Sequence, residues 1–267
     1  MNNEMKIYCA NLKEYVKFRG GERLCDIYER LKERIGITPI CARVNNKTEN
    51  MSYPVFSPKQ VEFLDASSPS GRRVYVHSLC MVLYKAVHDA FPGIKLRIEH
   101  SISNGYYALF IQDGEILVPA PAMVTTIRHK MREIVEANMP FVRHEKLTTD
   151  VVKIFKKQGL DDKVKLMKYS QDLYTVYYTL DGLADSFYGN LAPSTGFLKV
   201  FDLQAFKKGM LLMKKRYLML GILIVCLAVN SSVKTLYAAD AIYDLINNLV
   251  YQFALLCIEN QARLQTP

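Results

Sequence analysis

No C-x-x-C pair occurs among the six cysteines, Cys9, Cys25, Cys41, Cys80, Cys226 and Cys257. A cysteine-built zinc site needs thiols paired at such spacings, so none is expected. Several of the six sit among apolar neighbours and read as buried, reduced thiols of a cytoplasmic protein. The run G-x-x-x-x-G-K-[ST] is also missing, and Gly20-Gly21, Pro92-Gly93 and Gly182 stand as isolated turn glycines. Without that loop's amides and lysine there is no cradle for nucleotide phosphates, which excludes P-loop phosphoryl transfer by these residues. No apolar stretch reaches the about twenty residues of a spanning helix. Residues 217–229 form an uninterrupted apolar run of thirteen. The first six residues are polar, so no secretory signal is expected at the start.

What is present is ordinary for a folded protein. Of 267 residues, 50% are hydrophobic and 23% charged, enough for one to three small domains, each with a core. The formal charge of +9 permits contact with nucleic acid or an anionic membrane surface without requiring either.

Residues 5–9 and 14–18 read as two short strands around a polar turn. Gly20-Gly21 breaks the chain before a helix over residues 22–35, in which Leu24, Ile27, Tyr28, Leu31 and Ile35 recur at helical spacing. Strands follow at 39–44 and 61–64, separated by an Asn45-Asn46 turn. That order fits a β-grasp unit over residues 1–66. Residues 66–72, rich in Ser, Pro and Gly, read as a linker. A helix over 73–91 places Leu79, Val82, Leu83, Ala86, Val87 and Ala90 on one face and carries His77 on its first turns. Strands are expected at 95–98 and 106–111, with an Asp113-Gly114 hairpin after them. A helix at 120–138 turns Met123, Ile127, Met131, Ile134 and Val135 inward, and Arg128, Lys130 and Arg132 read as its solvated face. A strand at 141–145, with His144 at the surface, helices at 148–158 and 161–169, and a strand at 173–180 complete this part.

Residues 185–196, Asp-Ser-Phe-Tyr-Gly-Asn-Leu-Ala-Pro-Ser-Thr-Gly, then form an irregular loop punctuated by Gly189, Pro193 and Gly196. A strand is expected on each side of it, the second over residues 197–203. A loop held between strands is a common seat of chemistry. This one has no group charged at neutral pH except Asp185 at its edge.

In that loop, Asp185, Gly189, Pro193, Ser194, Thr195 and Gly196 match the second editing motif of threonyl-tRNA synthetases, Asp-Leu-Cys-Arg-Gly-Pro-His-x-Pro-Ser-Thr-Gly. The motif's Cys falls on Phe187 and its His on Leu191. The helix carrying His77 resembles the same family's His-x-x-x-His, with Met81 in the second place and the spacing to Phe91-Pro92-Gly93 kept. Ser103-Asn104-Gly105-Tyr106-Tyr107 is similar to the family's Asn/Asp-Gly-Phe-Tyr-Tyr, and the phrase Cys41-Ala42-Arg43-Val44-Asn45 resembles its front TGS domain.

The resemblance implies an α+β protein. A TGS-like β-grasp domain, residues 1–66, would be followed by a domain like the second additional domain of threonyl- and alanyl-tRNA synthetases, residues 73–205. It also implies that the chemistry is degraded. Aminoacyl-ester hydrolysis needs a positioned water and polar groups at the carbonyl. Met81, Phe187 and Leu191 can neither carry protons nor ligate a hard metal. A surviving hydrolase would need a replacement group near His77, for which His100 is the nominee.

The phrases Pro39-Ile40-Cys41-Ala42, Phe63-Leu64-Asp65, Arg97-Ile98-Glu99-His100 and Pro140-Phe141-Val142-Arg143-His144-Glu145 resemble a second family, the uridine kinase-like nucleoside kinases. There the same two units precede a kinase domain that uses ATP and magnesium, so this chain would be the non-catalytic, regulatory front of such a protein, with no cofactor of its own. Residues 213–267 read as an unrelated apolar helical tail. Its order of basic, apolar and small residues is that of a signal peptide, and 217–229 is a candidate membrane contact. A nucleoside, nucleotide, amino acid or RNA is the expected ligand. Candidate pocket residues are His77, His100, Asn104, Tyr106, Tyr188, Ser194 and Thr195, with no metal site. The alternative function is an RNA-binding module that contacts a tRNA acceptor end.

Overall fold

The computed structural model describes residues 4–102, 105–170 and 172–213, which form an α+β structure. In chain order the elements are β1 (Glu4–Cys9), β2 (Glu14–Arg19), β3 (Glu22–Arg23), α1 (Leu24–Ile35), β4 (Cys41–Val44), β5 (Lys47–Glu49), β6 (Pro54–Val55) and β7 (Gln60–Leu64). Then come α2 (Pro69–Ala90), β8 (Lys95–Ile102), β9 (Gly105–Gln112), β10 (Glu115–Leu117), α3 (Pro121–Glu136), β11 (Val142–Leu147), α4 (Thr148–Lys157) and α5 (Asp161–Tyr169). The last are β12 (Tyr174–Leu180), β13 (Leu183–Asp185), β14 (Asp202–Phe206) and β15 (Gly209–Met213).

The first sheet runs β2-β1-β7-β4-β5, antiparallel except for the β1/β7 pair. Helix α1 lays Leu24, Ile27 and Leu31 on Ile7, Cys9, Phe18, Val44, Val61 and Phe63, all buried. Full burial of each such side chain contributes roughly 1.5–3 kcal/mol. The helix starts at Leu24 rather than at residue 22, because Glu22 and Arg23 pair with Val55 and Pro54. It ends on Gly36, whose φ of 68° suits a glycine C-cap and whose N–H bonds the Lys32 carbonyl.

Residues 66–72 are not a linker. The Ser68 hydroxyl accepts the Gly71 N–H at 3.1 Å and Pro69 occupies the first helical turn, so the Ser-Pro-Ser-Gly run is a helix start. A Cβ on Gly71 would lie 1.9 Å from the Asp65 carbonyl oxygen, so only glycine permits this approach.

Helix α2 is buried on almost every side, through Val74, Tyr75, Leu79, Met81, Val82, Leu83, Ala86 and Val87. An all-round apolar helix belongs at a centre. It shares one core with Ile40, Cys41 and Leu64 of the first sheet, with Ile127 and Met131 of α3, and with Phe110, Leu203, Met210 and Leu212 of a second sheet. That sheet runs β10-β9-β15-β14, with β8 on the other side of β9, where Ala108 faces Ile98 and Met210 in the two flanking strands. A third sheet, β11-β12-β13, carries α4 and α5 on a smaller core of Val151, Phe155, Val164, Met167 and Tyr177.

Four expectations shift here. Residues 197–203 are not a strand: a single 3-10 turn spans Thr195–Phe197 and the strand begins at Asp202. The Tyr75 hydroxyl takes the Val200 N–H at 2.9 Å and donates to its carbonyl at 3.0 Å, replacing a neighbouring strand. The β14/β15 hairpin carries the sheet through Met213, past the expected domain end at 205 and into the expected tail. Arg128 is not simply solvated, since its guanidinium donates twice to the Leu203 carbonyl, at 2.9 and 3.1 Å. His144 is half-buried rather than at the surface, stacked on Tyr177 at 4.9 Å and hydrogen-bonded to Thr179 at 2.9 Å.

Among the described residues no helix is long and apolar enough to cross a membrane. The tail beyond Met213, including residues 217–229, lies outside the described residues.

Candidate functional site

The loop over 185–196 leaves the end of β13, crosses α2 and closes on the end of α3. Its first half makes the site. Asp185 is buried, and its carboxylate accepts from the Lys163 ammonium of α5 and, at 2.7 Å, from the Ser186 N–H. Burial raises the Asp185 pKa, with Lys163 pulling the other way. The same ammonium donates to the Ser186 carbonyl at 2.7 Å and sits 5.1 Å from the centre of the Phe187 ring.

Phe187 in turn stacks on His77, with ring centres 6.3 Å apart and planes 24° from parallel. Gly189, at φ 115°, passes beside the imidazole, where a Cβ would stand 3.6 Å from the ring. Among the described residues no group hydrogen-bonds the His77 ring. Burial and the Arg73 charge one turn back lower its pKa, so the imidazole is neutral at pH 7, with one nitrogen donating and one accepting. Tyr188, next to Phe187, is 87% exposed.

The second half of the loop is structural. The Ser78 hydroxyl of α2 accepts the Ala192 N–H at 2.8 Å, and Leu191 is buried beside it. Asn190 donates to the Thr48 carbonyl of the first sheet at 2.7 Å and accepts from the Tyr178 hydroxyl at 3.3 Å. Thr195 is fully buried, its hydroxyl donating to the Ile134 carbonyl at 2.7 Å and accepting the Met139 N–H at 2.9 Å. Ser194 donates to the Asn138 side chain at 2.6 Å.

The structure therefore brings together His77, Phe187 and Lys163, leaves Tyr188 exposed, and does not bring Ser194 or Thr195 to the same place; those two fasten the loop to the end of α3. Met81, one turn beyond His77, is fully buried core. His100 is exposed and leans on Tyr107 of the neighbouring strand, ring centres 5.8 Å apart, and Tyr107 meets Phe206. Tyr106 is half-buried on β9, in register with Leu212. Asn104 lies outside the described residues.

Two neighbours escaped the sequence reading. Lys163 stands twenty-two residues before Asp185 on a helix whose other lysines face solvent, so no local pattern marks it. Cys80 lies close enough to Asp185 and Lys163 to feel both charges, and burial pushes its thiol up to about 12. It stays protonated and is no nucleophile. Among the described residues no group of three or more His, Cys, Asp or Glu is placed to hold a metal.

The site thus offers a neutral imidazole, an ammonium tied to a buried carboxylate, a half-buried aromatic face and an exposed one. These suit the binding of a planar or anionic group. Among the described residues no second imidazole or thiolate stands with His77 to share a proton transfer.

No protein-family model matches the chain. Curated relatives do. It is 29% identical over 198 residues to the threonine–tRNA ligase of Desulforamulus reducens, covering 73% of this chain and 30% of that one. To the enzyme of the same name from Rubrobacter xylanophilus it is 29% identical over 185 residues, 69% of this chain and 28% of the relative. The Parabacteroides distasonis enzyme matches at 26% over 189 residues, 71% and 28% of the two chains. The chain spans less than a third of the length of these relatives, and over some 70% of its own length it is similar to threonine–tRNA ligases.

Proposed function

We propose that this chain is a non-catalytic RNA-binding module related to threonyl-tRNA synthetases, with its first sheet a TGS-like β-grasp unit and residues 69–213 an editing-like domain. Its ligand is a tRNA acceptor end, received at His77. One observation carries this reading. The loop that resembles the synthetase motif holds His77, Phe187 and Lys163 together as a stacking and charge-bearing surface, while Met81 and Leu191 fill space as core. A terminal base stacks on Phe187 or Tyr188, as bases do on aromatic platforms. Its hydrogen-bonding edge meets the neutral imidazole. The basic balance of the chain favours the approach of an RNA backbone.

The uridine kinase-like reading rests on short phrases, and the relatives named above are all threonine–tRNA ligases. It predicts a nucleoside or nucleotide ligand at the same site. The deciding experiment titrates the full chain with deacylated tRNA, with tRNA lacking its terminal adenosine, and with uridine and ATP, at several salt concentrations. Expected are tRNA binding with a steep salt slope, a loss on removing the terminal adenosine, and a further loss in F187A. Binding of uridine or ATP in the absence of tRNA binding would overturn the proposal. A second arm follows serine release from seryl-tRNA with specificity for threonine. No acceleration over the uncatalysed rate is expected.

A further inference from the structure

Beside the second half of the loop lies a cavity of about 130 Å³, lined by residues of the first sheet's unit and of the third sheet. One wall comes from Cys25 at the start of α1 and the turn Asn50–Ser52. The other comes from Phe141, Arg143, Tyr178 and the loop residues Leu191, Ala192 and Pro193. Backbone bonds set both walls. The Cys25 N–H bonds the Met51 carbonyl at 2.8 Å, and the Phe141 N–H bonds the Pro193 carbonyl at 3.3 Å. Arg143 and Tyr178 are cross-strand partners on β11 and β12, so their polar ends stand side by side.

The lining is divided by chemistry. Met51, Phe141, Leu191, Ala192 and Pro193 are apolar. Arg143 is the one charged residue; the Tyr178 and Ser52 hydroxyls beside it already donate, to Asn190 Oδ1 at 3.3 Å and to Asn50 Oδ1 at 2.8 Å. We propose that this cavity binds a small carboxylate with a short apolar body, its anionic end on Arg143 and its body between Met51, Phe141 and Leu191.

Size sets the class. A cavity of about 150 Å³ takes a six-membered ring, so this one holds about half a dozen non-hydrogen atoms and is too small for a nucleoside. Charge sets the head group. A guanidinium presents a planar fork that matches a carboxylate. Arg143 already meets Glu145, at 3.2 Å from both terminal nitrogens. That pair is half exposed, and such pairs contribute little. It leaves other guanidinium N–H groups for a ligand. Glu49, an acid whose field reaches Tyr178, is paired with Lys47 at 3.0 Å. The Cys25 thiol is held protonated by partial burial, so the site is for binding and not for thiolate chemistry.

The test is saturation-transfer NMR on the full chain with propionate and L-lactate, and with 1-propanol as the uncharged counterpart. Both carboxylates should receive saturation, propanol should not, and affinity should fall at least tenfold in R143Q. The S52Y variant plugs the exposed rim without touching the core, and should abolish transfer even if R143Q fails to fold. The proposal is overturned by no transfer to either carboxylate, by equal transfer to propanol, or by transfer that persists unchanged in both variants.

Discussion

Replacing Thr195 by valine should destabilise the protein while leaving the His77 surface intact. The side chain keeps its shape and loses a hydroxyl that is fully buried between two backbone groups, donating to the Ile134 carbonyl at 2.7 Å and accepting the Met139 N–H at 2.9 Å. Each such bond is worth about 1 kcal/mol net, and a buried polar group left without its partner costs about 1–3 kcal/mol. The carbonyl and the N–H are both stranded, so the loss should be about 2–3 kcal/mol. At about 2–4 °C per kcal/mol for a domain of this size, Tm should fall by about 4–12 °C. Urea unfolding measures it directly, as a lower midpoint at an unchanged slope. T195S retains the hydroxyl and should recover most of the loss. A change below about 0.5 kcal/mol would refute the reasoning. Lost tRNA affinity at unaltered stability would also refute it, and would make Thr195 a ligand contact.

Met81→Ala, at a fully buried position beside His77, should cost about 2–5 kcal/mol in the same unfolding assay, as expected of core rather than of a vacated catalytic place. His77 and His144 both have pKa values lowered by burial. Their contribution is therefore complete above the unfolded value of about 6.5 and is lost as pH falls through the folded values. The urea midpoint should drop between pH 7 and pH 5, and H77Q with H144Q should flatten that limb. Asn190→Ala removes the 2.7 Å bond to Thr48, and should raise hydrogen exchange across residues 186–191 with a stability loss of about 1 kcal/mol. Unchanged exchange there would mean that the first sheet's unit does not hold the loop.

Much of the fold could be read from periodicity, because α1, α3 and the strands of the first sheet have regular apolar spacing and ordinary turn residues. The misreadings have physical causes. Ser68, Pro69 and Gly71 have loop composition, yet a hydroxyl cap and a close backbone approach turn them into a helix start. Residues 197–203 alternate as a strand does, but the Tyr75 hydroxyl takes up the Val200 backbone, a contact from 125 residues away. Part of the site was legible through likeness to two known motifs, the helix pattern that located His77 and the loop pattern that located Phe187. Lys163 was not, since a lysine that reaches a buried carboxylate on another element looks in sequence like its solvated neighbours. Ser194 and Thr195 lie in the same motif as Phe187, and their fastening role depends on Asn138 and Met139, which only the folded chain brings near.

Strand β15 also bears on how the protein can be handled. It covers Gly105–Ala108 of β9, the central strand of the second sheet. A recombinant fragment cut at residue 205 would bare that stretch of N–H and C=O groups beside Ala108 and Phe110. An uncovered edge on a central, apolar strand is a template for pairing with other molecules. Such a fragment should precipitate or form oligomers where one ending after Met213 stays monodisperse, so a failed binding experiment on the shorter piece would report on solubility and not on recognition.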